Sequence, residues 1–477
     1  MGGKVDFIRV FRLRKPRDQS DVKTVSAQNG ELDSRGPHPA HGRYCVARVT
    51  GDEDARVCKD IPEASCNDQP RNFFAYLVAN LLGKVAEEIA SAKLVIPWLF
   101  GVLGVPATLT GFLVPIREAG VLLPQLAVAA AVRHLAIRKS VWLVGSLLSA
   151  LSLFGMAYAA LNTSGTAAGG IILLMLVIFS LSRGLCSVSA KDVLGKTVSK
   201  SRRGALMGWS ASLSGIAVLL IGLWLSTGDM DSAGLNIFAG LLALGGVLWI
   251  AASLSFASII EEPGATEGGG NALSVALQQL QLLQTDQEFR QFVIARGLLL
   301  SVALAPPFYV LIAQSRGGAD LGDLGILIIA NGIATTVSAP FWGYLGDRSS
   351  RSVMSAAALG AGLLGIFTYL ACKNDWQWVI NEYGLALILM VLTIMHGGVR
   401  LGRKVYLVDM ASGDNRAAFV AVSNTVVGVL MLVAGLIGLS GEMLGPEATV
   451  FIFGIISVFA ALYIRRLPEV SDMETGH

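Results

Sequence analysis

Residues 72–101 read NFFAYLVANLLGKVAEEIASAKLVIPWLFG. The stretch is long enough to cross a bilayer, which takes about 20 apolar residues in a helix. Yet it carries Lys84, Glu87 and Glu88 near its middle. At about 100° per residue, Asn80, Lys84, Glu87, Glu88 and Ser91 fall within an arc of about 100°, and Leu, Val, Ile and Phe cover the rest. One charge at the bilayer centre costs on the order of 3 kcal/mol, so three facing lipid would cost about 9 kcal/mol. That is comparable with the whole stability of a domain. The polar stripe must therefore face protein or a water-filled cavity, and the rest of the chain has to supply the other walls. Lys93 falls on the far side of such a helix, nearer its outer end, and reads as structural.

The 477 residues are 53% hydrophobic and 15% charged, against about 25% charged in soluble domains. The apolar residues come in long runs, so the chain is expected to be an all-α integral membrane protein. A formal net charge of +3 is too small to argue for a nucleic-acid partner. Cys45, Cys58, Cys66, Cys186 and Cys372 make no CxxC pair and no zinc spacing. The first three lie in a polar N-terminal tail, residues 1–71, which is expected to be partly disordered, cytoplasmic and reduced. No cleavable signal peptide is expected, because the first apolar run begins after residue 71.

Twelve apolar spans follow, at 74–100, 104–131, 139–161, 168–190, 205–226, 234–257, 290–313, 322–345, 351–372, 383–403, 418–440 and 447–465. The loops after even-numbered spans carry the basic residues: Arg133, Arg138 and Lys139; Lys191, Lys196, Lys200, Arg202 and Arg203; Arg348 and Arg351; Arg403, Lys404 and Arg416; Arg465 and Arg466. Ala160–Gly169 has no charge, and only Arg316 and Lys373 break the pattern. Positive residues stay inside, so both termini are expected in the cytoplasm, most naturally across a bacterial cytoplasmic membrane. The longest connection, 258–289, contains Glu261-Glu262-Pro263-Gly264 and Gly268–Gly270, then an apolar-striped segment at Ala272–Leu283. It reads as a cytoplasmic linker with a surface helix, joining six-helix bundles at 72–257 and 290–467. Residues 468–477 form a cytoplasmic tail.

At an offset of 213 residues the two halves match: Gly184 with Gly397, Lys191 with Lys404, Leu194 with Leu407, Arg203 with Arg416, Ala205 with Ala418, Ser210 with Ser423, Gly215 with Gly428 and Gly222 with Gly435. Parallel repeats about an axis along the membrane normal are a transporter architecture.

The loop after span eight runs Gly343-Tyr-Leu-Gly-Asp347-Arg348-Ser-Ser-Arg351. With G-x-x-x-D-R-x-x-R between the second and third spans of a half, the chain from 72 to about 467 resembles the major facilitator superfamily. The resemblance implies twelve helices in two pseudo-symmetric six-helix bundles that rock around a site near the midplane. It makes Gly343, Asp347, Arg348 and Arg351 a gating latch, with Asp347 capping a helix or pairing with a base and the arginines pairing across loops or touching headgroups. The loop after span two, Ala129–Ser140, lacks G-x-x-x-D. Span five lacks the Gly-Pro pair of the family's drug/proton antiporters.

Several charges fall within spans. Arg117 and Glu118 are adjacent in span two and point about 100° apart, so each needs a partner elsewhere. Glu87 or Glu88 is the candidate for Arg117. Arg183 in span four has His396 as its repeat partner in span ten. Lys191, Arg400, Arg403 and Lys404 lie nearer the cytoplasm and read as topology charges, while Arg296 is ambiguous. Glu87 and Glu88 are the candidate proton carriers, with Lys84 one turn earlier able to reach either. Asn80, Lys84, Glu87, Glu88, Arg117, Glu118, Arg183 and His396 are thus the candidate substrate and proton cavity, with Asn331, Asn424 and Thr425 as neutral contacts.

Gly195-Lys196-Thr197 resembles the end of a phosphate loop but lacks the earlier glycine and a preceding strand. No HExxH, CxxC or G-x-S-x-G motif appears. The expected function is secondary active transport of a small polar or anionic solute, coupled to protons, by a monomer without cofactor other than an ion gradient. A receptor on the same scaffold is the alternative, and an enzyme is not expected.

Overall fold

The computed structural model describes residues 63–123, 128, 132, 134–227, 234–264, 280–317, 321–346, 348–411 and 416–470. In lipid every backbone polar group must be satisfied within the chain, and the apolar runs answer with helices. Among the described residues ten helical segments are long and apolar enough to cross a membrane. The first two expected spans are broken into shorter helices and fall outside that count.

The first crossing consists of α1 (Glu63–Ile89) and α2 (Val95–Val102), and the second begins with α3 (Ala107–Thr110) and α4 (Leu113–Leu122). Then follow α5 (Lys139–Asn162), α6 (Gly165–Thr197), α7 (Lys200–Thr227) and α8 (Gly234–Ala257). The seventh crossing is α10 (Gln287–Leu298), α11 (Leu300–Leu304) and α12 (Pro306–Gly317), preceded by a single turn, α9 (Leu282–Thr285). The last five are α13 (Leu321–Gly346), α14 (Ser350–Lys373), α15 (Glu382–Met410), α16 (Arg416–Ala434) continued by α17 (Gly438–Leu444), and α18 (Pro446–Ile464).

Span one was expected as one helix and is two. Its break at Ala90–Leu94 lies one turn ahead of Pro97, and the break between α3 and α4 lies one turn ahead of Pro115. A proline has no N–H and its ring collides with the carbonyl four residues back, which is that of Lys93 or Gly111. Pro306 and Pro307 open α12 in the same way.

The halves repeat one packing plan. The third crossing packs on the fourth and sixth, and the ninth packs on the tenth and twelfth. The halves join through α7 with α13, α4 with α16, α2 with α12, and α3 with α17. A Cβ on Gly111 would lie 2.6 Å from Gly438 Cα, and one on Gly325 would lie 2.7 Å from Gly222 O. Gln314 Nε2 donates to Trp98 O at 3.1 Å. These contacts lie from mid-depth toward the side opposite the basic loops.

On the basic-loop side each half has a carboxylate at the start of its third helix. Glu261 is buried and accepts from Arg138 N at 3.0 Å, Lys139 N at 2.7 Å and Lys196 Nζ at 2.9 Å. Glu469 accepts from Ser349 Oγ at 2.8 Å and pairs with Arg351 Nε at 3.1 Å. An acid there satisfies free N–H groups and the positive helix end. The loop that lacks its own aspartate thus borrows Glu261 from the linker. Arg351 also donates to Leu467 O at 2.8 Å, and Arg348 donates to Tyr344 Oη at 2.8 Å. A Cβ on Gly343 would meet open space. Asp347, the N-terminal tail to residue 62 and most of the expected surface helix at Ala272–Leu283 lie outside the described residues. Cys66 is disulfide-bonded, contrary to the expectation of a reduced tail, while Cys186 and Cys372 are free and buried.

Candidate functional site

A cavity of about 330 Å³ lies between the halves. The N-terminal half contributes Glu87, Glu88 and Lys93 from around the break in span one, with Arg117 and Glu118 from α4. The C-terminal half contributes Pro306 from span seven, Asn331, Thr335 and Ser338 from α13, and Thr393, His396 and Arg400 from α15. Five of the eight candidate cavity residues therefore share one space: Glu87, Glu88, Arg117, Glu118 and His396.

Glu87 is clamped. Arg117 Nη2 lies 3.3 Å from its Oε2, and Arg183 pairs with its other oxygen. Both guanidinium groups rest on aromatic rings, Arg183 at 4.5 Å from the Trp249 centroid and Arg117 at 5.4 Å from that of Phe179. These stacks fix the fork geometry of the two arginines around one carboxylate. Glu118 pairs instead with Lys93 at 3.4 Å, and Lys93 also lies 3.4 Å from His396 Nε2. Glu88 is exposed to the cavity, and among the described residues it forms no ion pair or hydrogen bond.

Two expectations need correction. Lys93 is not on a far, structural face: the break at Ala90–Leu94 resets the helical phase and turns it into the cavity. Lys84 lies within reach of the charge of Glu87 but forms no ion pair with Glu87 or Glu88 among the described residues. It donates to Ser210 Oγ at 3.2 Å, beside Asn80, which donates to the same oxygen at 2.7 Å. Asn80, Lys84, Arg183 and Lys191 line a separate space of about 160 Å³ within the N-terminal half.

Ser210 and Ser423 are repeat partners, and Ser423 accepts from Arg296 of span seven. Arg296 also donates to Asn424 Oδ1 at 3.2 Å. Each half thus ties a cation of its first helix to the equivalent serine of its fifth. This settles the ambiguous Arg296 as a helix tie, and the repeat match of the serines was the signal for it. Asn331 accepts from Thr393 Oγ1 at 3.1 Å on the cavity wall. No group of three or more metal-ligating side chains is found among the described residues.

Residues 292–475 match the family model described as Major Facilitator Superfamily. Over these residues, in its C-terminal half, the chain is similar to this superfamily. The fold of the chain as a whole is similar to that of solved transporters: it aligns with the D-xylose-proton symporter at a TM-score of 0.63 and 14% identity, over 84% of this chain and 99% of that one. With the nucleoside transporter NupG the TM-score is 0.63 at 13% identity, over 83% and 98%. The staphyloferrin B transporter of Staphylococcus aureus is 26% identical over 186 residues, 38% of this chain and 42% of that protein. The uncharacterized MFS-type transporter MJ1317 of Methanocaldococcus jannaschii is 23% identical over 225 residues, 46% and 54%. The matches span about half the length of these curated relatives.

Proposed function

We propose that this chain is a secondary active transporter that moves a small polar or anionic solute by alternating access, coupled to protons. The observation that carries this reading is the split among the cavity carboxylates. Glu87 and Glu118 are held by cations, whereas Glu88 faces the cavity and forms no ion pair or hydrogen bond among the described residues. A clamped carboxylate keeps its charge through the cycle. An unpartnered one in a cavity of changing dielectric can take a proton from one side and release it to the other.

By the positive-inside tendency, the basic loops favour termini in the cytoplasm. On that orientation the contacts between halves close the outer side, and the cavity belongs to an inward-facing state. The names of the relatives support transport, and their bacterial and archaeal sources suit a prokaryotic cytoplasmic membrane. The test is a thermal-shift screen of the purified chain against metabolites, followed by uptake of the best ligand into liposomes under an imposed pH gradient. Accumulation that collapses with the gradient supports the reading. Ligands that bind but are never accumulated would sink it.

A further inference from the structure

His396, Arg400, Arg403 and Lys404 are spaced i, i+4, i+7 and i+8 on α15, so they form one face about 12 Å long. Arg400 lines the central cavity. Lys404 is exposed, one turn nearer the basic loops. Its repeat partner Lys191, on α6 of the other half, is also exposed and lines the neighbouring space beside Arg183. The charges of Arg400, Arg403 and Lys191 all act on Lys404. Four cations from both halves therefore converge on the basic-loop side of the cavity.

Of the acids nearby, Glu88 shares the cavity with Arg400 and lies within reach of its charge, and two others are engaged elsewhere. Asp192, beside Lys191, pairs with Arg138, and Glu118, whose charge reaches Arg403, is in contact with Lys93. Among the described residues none of the four cations forms an ion pair. Lysines that serve only topology extend outward to headgroups. Lys191 and Lys404 instead lie within reach of one another's charge, although they belong to different halves. Four cations against the one unclamped carboxylate of Glu88 leave an excess of positive charge among the described residues, which raises the local potential for anions.

We propose that Lys191, Arg400, Arg403 and Lys404 form a second binding tier, between the central cavity and its basic-loop mouth, for a solute bearing two or three carboxylates. One carboxylate spans Lys191 and Lys404 at the mouth, and another meets Arg400 beside Glu88. Closing the basic-loop side brings Lys191 toward Lys404, so repulsion holds the empty protein open and a bound polyanion permits closure. This deepens the transport reading and rests on it for the role of the tier, though not for its affinity.

The test is calorimetric titration of the full chain in phosphatidylcholine nanodiscs with citrate, using acetate as the monocarboxylate control. Citrate is expected to bind more tightly than acetate, with a dissociation constant that rises with added salt. Arg400→Gln should weaken citrate about tenfold, which is about 1.4 kcal/mol, and Lys191→Gln with Lys404→Gln should do the same. Arg400→Lys should keep most of the affinity. Unchanged thermal midpoints without citrate show that the variants fold. Absent citrate binding, equal binding of acetate, or unchanged affinity in the double variant would overturn the tier. So would abolition of citrate binding by phosphatidylglycerol, which assigns the cations to lipid headgroups. Binding is read without a gradient, so citrate that binds but is never accumulated would count against transport and leave the tier standing.

Discussion

Lys93 Nζ stands 3.4 Å from His396 Nε2, a contact between side chains 303 residues apart in the chain and in opposite halves of the molecule. Lys93 reaches it because span one stops being a helix at Ala90–Leu94. Glu118 Oε1, 3.4 Å away, supplies the charge that makes the position tenable. The contact crosses the cavity, so any rocking of the halves must stretch or break it.

The break itself is testable by hydrogen exchange. Amides at 90–94 should exchange faster than those of α1 and α2 on either side, since they lack a continuous i to i−4 ladder. Pro97→Ala restores the missing N–H and removes the ring clash, so exchange at 90–94 should slow. Unaltered exchange would mean that Pro97 does not cause the break.

Glu87 and Glu88 should behave differently in spite of being neighbours. Glu87→Gln leaves Arg117 and Arg183 facing a neutral amide, and removing one partner of this partly buried cluster costs about 1–3 kcal/mol, less than in a fully buried pair. Its thermal midpoint should fall clearly. Glu88→Gln removes no ion pair, so the midpoint should hold while gradient-driven accumulation disappears and solute exchange persists. A stable Glu87→Gln with normal coupling, or a coupled Glu88→Gln, would reverse the assignment.

The close approach of Gly111 to Gly438 gives a means of opening the closed side. A Cβ at Gly111 would sit 2.6 Å from Gly438 Cα, and backbone cannot yield as a flexible side chain can. Overpacking of this kind costs about 1–3 kcal/mol. Gly111→Val should therefore shift the population away from the closed contact. The readout is labelling of a cysteine introduced at Thr335 by an impermeant thiol reagent, which should speed up from the side opposite the basic loops. A wild-type rate would show that this contact does not set the equilibrium.

Glu261 predicts a stability effect far from the cavity. Its side chain is fully buried and holds two backbone amides and Lys196. Glu261→Ala leaves Lys196 and the amides without that acceptor, a loss of about 2–3 kcal/mol at a charged hydrogen-bonded site. Glu261→Gln should recover part of this, since an amide oxygen still accepts. Equal midpoints for both variants and wild type would rule out the cap.

Much of this was legible in the residues. Apolar run lengths marked the ten helices long enough to cross a membrane, Lys and Arg marked alternate loops, and the offset of 213 paired Lys191 with Lys404 and Ser210 with Ser423. The charge stripe on span one demanded a polar space, and Glu87, Glu88, Arg117, Glu118 and His396 do share one. The stripe nevertheless misplaced two lysines. It assumed one unbroken helix, whereas Pro97 resets the phase before Lys93, and it had no means of seeing that Lys84 would find Ser210 first.

What the sequence determined by itself is what the bilayer enforces: length, hydrophobicity and charge asymmetry are local quantities, and lipid acts on each segment independently. Which charges pair is not local. Glu87 pairs with two arginines, Glu88 pairs with none among the described residues, and Lys93 meets a histidine from the other half, because helix packing sets side chains from distant segments within a few ångströms. At those distances a shift of one turn exchanges one partner for another, so only the tertiary structure could separate the clamped carboxylates from the free one.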